Sequence, residues 1–516
     1  MSALYLHFLV AWRHQVKFQR SAGSDAFMCI DPVVHCRPDV LIMQRQLFNF
    51  HDGFMQPPAL ATQLLKTAEI VRQVTGGQSL DKALDSVDSA LRPGVQALSF
   101  YTLRHLGLSQ ALLAALTQKA PPSAVQALLW VVLALCASEE SEGSQTAAHT
   151  GVPYYKPYVL GSQAVQAAKS LPKTRAFAPL VNGVVRRFLR ERDTLLAQVR
   201  QHSESARWAF QPWWIARVRS DWPDVWQAIL RTAQQPSPMT LRVNAQWGSA
   251  QQAVKLLQEK GIEVRVAGPY AVELQTPMPV ESIPEFTQGH FSVQAAAAQL
   301  AAPLLLQQEW VRRLARLGTP LRVLDACAAP GGKTAHMLEM MPEGSIDVVA
   351  LDVDAQRLQK VEETLARIHR SAELRAADAA SADAFGADET FDAILLDAPC
   401  TASGIVRRHP DIRWLRRESD VAELSAQQRR LLQTLWPRLA PGGRLLYCTC
   451  SLFKAEGEEN AQNFVLGHND ASRLPAPGHI LPLAATDQHQ MACDLENGEQ
   501  GALTATDGFY YALFEK

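Results

Sequence analysis

From about residue 303 onward, short apolar runs alternate with helical segments, and this alternation constrains the fold more than any other feature. Near-continuous apolar strands separated by helices indicate a doubly wound α/β sheet that is covered on both faces. The six strand candidates are 321–327, 347–353, 373–378, 391–399, 443–450 and 508–516. In such sheets, ligands bind beyond the carboxyl ends of the strands. We therefore expect functional residues where these runs end.

The preceding chain differs in character, so the sequence predicts several domains. Residues 57–203 show helical periodicity and form an all-α domain, in which the polar stretch 138–151 is expected to be a loop. Residues 204–300 combine strand candidates at 237–244 and 264–275 with a helix at 249–262, which indicates a small α+β domain. The α/β domain takes 301–516. Residues 1–56 are irregular and read as a disordered extension, or as a translation start assigned too early, with Met43 or Met55 as alternatives.

Composition narrows the class of protein. A net charge of −1 means that any binding to nucleic acid depends on local patches. Eight cysteines in 516 residues are too few for a secreted disulfide scaffold and are typical of a reducing cytoplasm. The apolar residues 3–11 are too short to cross a membrane. A cytoplasmic protein, expected to be a monomer, follows.

The first strand candidate leads into "DACAAPGGKT" (325–334), a loop whose small residues allow the backbone to approach a ligand. A phosphate-binding G-x-x-x-x-G-K-T loop would need glycine where Cys327 stands. Asp352 lies 20 residues after Gly332, a spacing that suits a carboxylate facing ribose hydroxyls, and Asp378 ends the next run. With Asp397, three acids would repel a polyphosphate but tolerate a nucleoside with a positive sulfur. The pattern predicts S-adenosylmethionine.

Two further runs end in cysteines. "LLDAPC" places Asp397 and Cys400 at the end of the fourth strand, and "LLYCTCS" places Cys448 and Cys450 at the end of the fifth. A thiolate that adds to C6 of cytosine makes C5 nucleophilic toward a methyl donor, and a carboxyl group near N3 stabilises the adduct. A zinc site would need further ligands, and a C-x-C disulfide on a strand is implausible. Packing of both cysteines in the core is the remaining alternative.

The motifs resemble a known family. "DACAAPGGKT", "ALDVD", "ILLDAPCTASGIVRRHPDIRW" and "YCTCS" occur in the order found in the RNA cytosine-C5 methyltransferases of the NOL1/NOP2/Sun type, and the likeness covers about residues 237–516. The helical region resembles the NusB-like RNA-binding domain. Within the family, that domain implies a 16S ribosomal RNA substrate, and the C-terminal motifs imply a Rossmann-like methyltransferase domain. The target cytosine must leave its stack to reach the cysteine, so we expect it in a loop of the RNA.

The resemblance implies a role for each motif. Cys450 becomes the nucleophile, Cys400 assists release of the product, and Asp397 orients the cytosine and approaches the cofactor. Cys448 stands where the family usually has a small residue without a thiol, and we interpret it as packing. The implied cofactor site comprises Cys327, Ala328, Ala329, Pro330, Gly331, Gly332, Lys333, Asp352, Asp378 and Asp397. No metal is expected.

Two basic segments are candidates for RNA contact. The segment 404–417 has five arginines and one aspartate, interleaved with aromatic rings that could stack on bases. Its candidate residues are Arg407, Arg408, His409, Arg413 and Trp414. Residues 173–190 have five basic and no acidic side chains, including Arg186 and Arg187. In both segments a solvated helix face is the alternative.

Other functions remain open from the sequence. A methyltransferase of the same chemistry could act on tRNA or 23S rRNA, or the chain could be a non-catalytic ribosome assembly factor with a vestigial site. A DNA cytosine-C5 methyltransferase would use a cysteine like Cys400 as nucleophile. A methyltransferase for amino groups would more often have an Asn-Pro-Pro-Tyr-like element at 397–400.

Overall fold

The structure is a computed structural model that describes residues 59–138, 155–315, 319–483 and 507–516. The predictions for residues 1–56 and for most of the loop 138–151 lie outside the described residues. Within the described part of the chain, no helix is long and apolar enough to span a membrane.

The N-terminal part of the described chain is helical, as its periodicity predicts. Its core is formed by apolar side chains such as Leu64, Leu128 and Phe188, each 0% exposed. Helix α5, "SAVQALLWVVLALC", is apolar on nearly every face and lies at the centre of this core. The helices are α1 Leu60–Thr75, α2 Leu80–Leu84, α3 Arg92–Arg104, α4 Leu106–Leu116, α5 Ser123–Cys136, α6 Pro157–Ser170, α7 Pro172–Arg175, α8 Ala178–His202 and α9 Glu204–Trp208.

A small α+β unit follows. After helices α10 (Pro212–Asp221) and α11 (Trp226–Ala233), four antiparallel strands form a sheet in the order β2-β3-β1-β4. They are β1 Met239–Val243, β2 Val264–Val266, β3 Ala271–Leu274 and β4 Phe291–Val293, and helix α12 (Ala250–Glu259) lies between β1 and β2. Ser249 and Gln252 begin α12 with reciprocal side-chain to backbone hydrogen bonds.

The C-terminal part is a seven-stranded sheet in the order β10-β11-β9-β8-β5-β6-β7. Strands β5 to β9 run parallel, and β11 and β10 complete the sheet in antiparallel pairs. The strands are β5 Leu321–Asp325, β6 Ile346–Asp352, β7 Glu373–Ala376, β8 Phe391–Asp397, β9 Leu439–Thr449, β10 Ser472–Ile480 and β11 Phe509–Glu515. The predicted multidomain fold with a Rossmann-like sheet is confirmed.

Helices cover both faces of this sheet, which explains why its strands are apolar without alternation. The neighbouring side chains of Val323 and Leu324 point to opposite faces, and both are 0% exposed. One face packs against α13 (Ala301–Leu305), α14 (Gln308–Ala315), α15 (Gly332–Met340) and α16 (Ala355–Arg367). The other packs against α18 (Glu418–Leu435) and α19 (Glu458–Gly467), while the short α17 (Ile412–Leu415) lies in the segment after β8.

Several predicted strand boundaries were wrong for local reasons. The run 264–275 is a hairpin, with β2 and β3 joined around Gly268 and Pro269, and β7 ends at Ala376 rather than at Asp378. Strand β9 begins at Leu439 rather than at Gly443, because its pairing with β8 already starts at Leu439 and continues past a register shift. Strand β10, "SRLPAPGHI", lies at the sheet edge, where prolines are tolerated, and its composition gives no strand signal.

Candidate active site

The crevice of the large sheet opens between β5 and β8. These neighbours are followed by connections that lead to opposite halves of the sheet, since β5 continues to β6 and β8 continues to β9. This is the position at which open α/β sheets bind their ligands. The loop 325–334 and the two cysteine motifs all lie at these strand ends.

The loop after β5 is fixed by backbone contacts on both sides. The amide of Ala326 donates to the carbonyl of Leu395 at 2.9 Å, and the amide of Ala328 donates to that of Leu351 at 2.9 Å. Gly331 begins α15 with φ +95°, and a Cβ there would lie 2.9 Å from the Cα of Val361. Glycine is therefore needed at 331 both for the left-handed backbone and for the approach of α16.

Asp352 braces this loop. Its carboxylate is buried and accepts hydrogen bonds from the amides of Ala329 and Asp354, both at 3.1 Å. Arg357 adds an ion pair to Asp352 at 3.5 Å and donates to the carbonyl of Ala329 at 2.8 Å. The sequence did not indicate this bracing, and the ribose contact of Asp352 stays a prediction.

Asp378 and Val353 lie at the rim of the crevice. Asp378 is exposed two residues beyond β7 and accepts a hydrogen bond from the amide of Ala380 at 2.9 Å. Val353 directly follows β6 and is 71% exposed, a high value for a valine. An apolar side chain between two strand-end acids suits a nucleoside, with a base against the valine and hydroxyls near the carboxylates.

Lys333 joins the loop 325–334 to the end of β8. Its ammonium contacts a carboxylate oxygen of Asp397 at 2.5 Å. Burial alone would lower the pKa of Lys333, but interactions with Asp397, Cys448 and Cys450 together raise that pKa. The lysine therefore stays protonated, and Asp397 is held in place by a charged hydrogen bond.

Asp325, which we did not single out in the sequence, lies beneath this pair. It is 1% exposed and accepts a hydrogen bond from the hydroxyl of Thr334 at 2.7 Å. Burial raises the pKa of Asp325 to about 7, and the nearby charge of Asp397 adds to the rise. The acids at this end of the sheet fit a cofactor with a positively charged sulfur and an ammonium group, and they do not fit a polyphosphate.

Cys400 and Cys450 meet at the mouth of the crevice. Their sulfur atoms are 3.4 Å apart, although the residues are 50 positions apart in the chain. Cys450 lies one residue beyond β9 and is half-buried, whereas Cys400 is buried. Contact with Cys450, together with burial, raises the pKa of Cys400 well above its usual value. Cys400 is thus the protonated partner, and Cys450 is the accessible one.

Cys448 has a different environment, although it is only two residues away. It is 0% exposed and lies within β9 directly opposite Asp397 in the pairing with β8. Its thiol donates to Asp397 at 3.5 Å, and burial followed by the negative charge of Asp397 raises the pKa of Cys448. Cys448 is part of the core beneath the crevice and supports Asp397.

The structure corrects the interpretation of segment 404–417 as a basic surface. Arg413 is 0% exposed and donates to the carbonyls of Ala209, Ala233 and Val406 at 3.3, 2.9 and 3.3 Å. The indole of Trp414 donates to the carbonyl of Leu103 at 2.8 Å. Neither side chain is placed to contact RNA, because both fasten this segment to the helices before it.

The other candidates in this segment are also engaged. Arg407 is buried and donates to the carbonyl of Pro236 at 2.8 Å, and Arg408 pairs with the buried Asp507 at 2.5 Å. His409 is half-buried. In contrast, Arg186 and Arg187 are exposed on α8, so the second basic segment keeps a solvent-facing surface. In the described ranges, no cluster of histidine, cysteine and acidic residues could hold a metal ion.

Two more contacts were not apparent from the sequence. Arg242 of β1 is 0% exposed, binds Glu339 of α15 through two hydrogen bonds at 2.9 and 2.8 Å, and donates to the carbonyl of Gly332 at 2.6 Å. It therefore links the small antiparallel sheet to the loop 325–334. Glu456, buried after β9, contacts both cysteine motifs. A charged residue within an apolar stretch, as in "TLRVN", is the sequence signal that could have indicated Arg242, whereas Glu456 lies in the charged run "KAEGEE", where no such signal exists.

Comparison with known proteins gives consistent matches. Residues 318–515 match the family model described as 16S rRNA methyltransferase RsmB/F, and residues 210–281 match the ferredoxin-like domain of the same RsmF/B-like proteins. The Ribosomal RNA small subunit methyltransferase B of Cronobacter sakazakii is 36% identical over 459 residues, which cover 87% of this chain and 97% of the relative. That of Yersinia enterocolitica is 35% identical over 457 residues, which cover 88% and 96%.

One solved structure supports the fold. The crystal structure of PH0851 aligns with a TM-score of 0.63 and 24% sequence identity, and the alignment covers 90% of this chain and 100% of that one. At this identity, the likeness concerns the fold alone.

Proposed function

The chain belongs to the RsmB/F family of 16S ribosomal RNA methyltransferases, and on this premise we propose that it methylates carbon 5 of a cytosine in 16S rRNA through a covalent bond to Cys450. The observation that carries the proposal is the contact of 3.4 Å between the sulfur atoms of Cys450 and Cys400 at the end of the cofactor crevice. Cys450 is the accessible thiol and is suited to attack the base. Cys400 retains its proton and is suited to assist release of the product.

The cofactor that we propose for the crevice is S-adenosyl-L-methionine. The residues proposed to hold it are those of the loop Cys327–Lys333, with Asp352, Asp378 and Asp397. Bound there, it would supply an electrophilic methyl group on a positively charged sulfur. Asp397, held by Lys333 and Cys448, carries the negative charge that suits this partner, and Val353 offers an apolar surface for the adenine ring.

Cys450 acts as the nucleophile. Its thiolate forms a bond to C6 of the cytosine, and the electron pair of the C5–C6 double bond moves to C5. C5 would then be able to take the methyl group that bound S-adenosylmethionine would supply, while the sulfur keeps the electron pair of the broken sulfur–methyl bond. Cys400, 3.4 Å away and protonated, donates a hydrogen bond that stabilises the thiolate of Cys450. Asp397 orients the cytosine by contacting N3 and the exocyclic amino group of the base.

Cys400 serves again when the product leaves. The proton on C5 passes to a base, the C5–C6 double bond forms again, and Cys450 departs as a thiolate. A thiolate is a better leaving group when a neighbouring thiol donates to it, so Cys400 favours release. The target cytosine must leave its stack to reach Cys450, which suits a loop of the RNA.

We also propose that the regions preceding the methyltransferase domain hold the RNA. The helical region 57–203 presents Arg186 and Arg187 to solvent, and the small α+β region 204–300 is joined to the cofactor loop through Arg242. Exposed arginines bind RNA phosphates whatever the RNA sequence. A rigid connection to the loop 325–334 fixes the position of the bound RNA strand.

Methyl transfer from labelled S-adenosylmethionine to unmethylated 16S rRNA tests the proposal, with the modified base identified as 5-methylcytosine. We expect no transfer by Cys450→Ala and at most a severalfold loss for Cys448→Ala. Cys400→Ala should accumulate a protein–RNA adduct that survives denaturation. Cys136→Ala, a buried cysteine of α5, is the matched control.

Each contrary result has a definite meaning. Full activity of Cys450→Ala would exclude the covalent mechanism, and an adduct through Cys400 would favour chemistry of the DNA cytosine-C5 type. Transfer to tRNA or 23S rRNA in preference to 16S rRNA would change the proposed substrate. Absence of transfer to every RNA would favour the assembly-factor alternative.

A further inference from the structure

Glu456 is a buried carboxylate at the back of the two cysteine motifs. It lies on the short turn 454–456 that follows β9, and it is 0% exposed. Burial raises the pKa of Glu456. A buried carboxyl group is costly unless its oxygens are hydrogen-bonded, so the partners of Glu456 indicate why it is there.

Those partners are the residues that follow the two cysteines. One oxygen of Glu456 accepts from the amide of Thr401 at 2.8 Å, and the other accepts from the hydroxyls of Thr401 at 2.5 Å and Ser451 at 2.6 Å. Thr401 follows Cys400, and Ser451 follows Cys450. The carboxylate therefore joins the two chain segments that carry the reacting thiols.

Two further side chains, from α18 and β9, hydrogen-bond to Glu456 and to the segment before Cys400. Gln428 of α18 donates to Glu456 at 3.3 Å and to the carbonyl of Pro399 at 2.8 Å. The hydroxyl of Tyr447 donates to the carbonyl of Glu456 at 2.7 Å, which ties the turn back to β9. Such a network of satisfied buried polar groups holds a single geometry.

We propose that Glu456 is a positioning residue that keeps the sulfur atoms of Cys400 and Cys450 in contact. It acts through Thr401 and Ser451 and touches neither the cytosine nor the cofactor. This inference rests on the proposed function for its catalytic consequence, whereas the geometry that it describes exists in the protein without RNA.

The proposal predicts that shape and hydrogen bonding matter more than charge at position 456. Glutamine can keep one oxygen for the amide of Thr401 and turn its NH2 group toward the hydroxyls of Thr401 and Ser451, which can accept as well as donate. Alanine leaves all of these groups without a partner. Rescue by glutamine therefore separates positioning from a role for the negative charge.

The first test measures methyl transfer kinetics. For Glu456→Ala we expect kcat to fall about 100-fold, since misplacing reacting groups by about 1 Å has that effect, and KM for S-adenosylmethionine to stay within about twofold. Glu456→Gln should recover most of the activity. The exposed neighbour Glu459→Ala is the matched control and should behave like the wild type.

The second test needs neither RNA nor cofactor. Diamide oxidises two adjacent thiols to a disulfide, and the two hydrogen atoms and electrons pass to its N=N bond, which becomes a hydrazine. Because the sulfurs are 3.4 Å apart, the wild type should form the Cys400–Cys450 disulfide readily, as seen by peptide mapping. We expect the rate of disulfide formation in Glu456→Ala to be at least about tenfold lower than in the wild type. In Glu456→Gln, this rate should be close to that of the wild type.

Thr401→Val provides a milder variant should Glu456→Ala not fold. It removes one hydroxyl, keeps the side-chain shape, and should reduce both kcat and the oxidation rate by about tenfold. The proposal would be overturned if Glu456→Ala kept the wild-type kcat and the wild-type oxidation rate. If Glu456→Ala does not fold, the same result in Thr401→Val would overturn it. So would a Glu456→Gln variant as slow as Glu456→Ala. If cytosine-C5 transfer fails in the wild type while the oxidation rates rank as expected, only the proposed function is wrong.

Discussion

Helix α8 and the segment 404–417 have similar arginine-rich sequences, but their arginines differ in exposure to solvent. On α8, Arg186, Arg187 and Arg190 are exposed. In the segment after β8, Arg407 and Arg413 are buried and bonded to backbone carbonyls. The difference shows that a run of arginines can form either a solvent-exposed surface or buried contacts between chain segments.

The physical reason lies in what surrounds each guanidinium. The last carbonyls of a helix have no partner within that helix. Ala209 ends α9 and Ala233 ends α11, and Arg413 donates to both of their carbonyls while it stacks on Phe210 at 4.3 Å. On α8 the equivalent contact is made by a different arginine, Arg192, which donates to the carbonyls of Cys136 and Ala137 at the end of α5, whereas Arg187 and Arg190 pair with Glu191 on the surface.

Replacing Arg413 should give the largest effect on stability. Arg413→Ala leaves three buried carbonyls without a donor and opens a cavity beside Phe210, so we expect a loss of about 3 kcal/mol or more in the free energy of unfolding. The measurement is the urea dependence of unfolding, followed by circular dichroism.

Arg417→Ala is the matched control, because Arg417 belongs to the same segment and is exposed. Its unfolding free energy should stay within about 0.5 kcal/mol of the wild type. Equal stabilities of the two variants would show that burial does not distinguish the arginines of this segment.

Replacing the arginines of α8 should affect RNA binding and leave stability nearly unchanged. For the triple variant Arg186→Ala, Arg187→Ala and Arg190→Ala, we expect a change below about 1 kcal/mol in unfolding, as surface ion pairs contribute little. The affinity for a 16S rRNA fragment should fall about tenfold, and its dependence on salt concentration should weaken, because fewer counterions are released.

The control for α8 removes two exposed arginines of the same helical region, Arg72 and Arg92, each paired with a carboxylate. This double variant should bind RNA with nearly wild-type affinity. If both variants weaken binding equally, the contact is a diffuse attraction to positive charge and α8 has no special part in it.

The sequence was sufficient for much of the fold and for part of the site. Apolar runs followed by Asp352, Asp397 and Cys450 could be placed at strand ends, since parallel strands end at a common edge. The contact between Cys400 and Cys450 depends on the pairing of β8 with β9, which local patterns do not contain. Periodicity could not distinguish Cys448 from Cys450 either, because both lie on one face of an extended chain.

The contacts that escaped prediction link distant parts of the chain. Arg242 and Glu339 are 97 positions apart, and Glu456 and Thr401 are 55 apart. At such positions a charged residue that composition would place on the surface is buried, as Arg413 is. A lone charged residue among apolar ones marks Arg242 and Glu339 as candidates but not Glu456, and only the folded structure supplies the partners.

The smallest expected effect concerns Trp414. Trp414→Phe keeps an aromatic ring and removes the indole N–H that donates to the carbonyl of Leu103 at 2.8 Å, so unfolding should become easier by about 1 kcal/mol. RNA affinity should not change, because the ring packs near Gly107 of α4, where a Cβ would lie 3.2 Å from it. Unfolding in urea and RNA binding, measured on the same preparation, separate the two roles. A variant with unchanged stability and weakened RNA binding would restore Trp414 to the RNA-contacting surface and remove the contrast with α8.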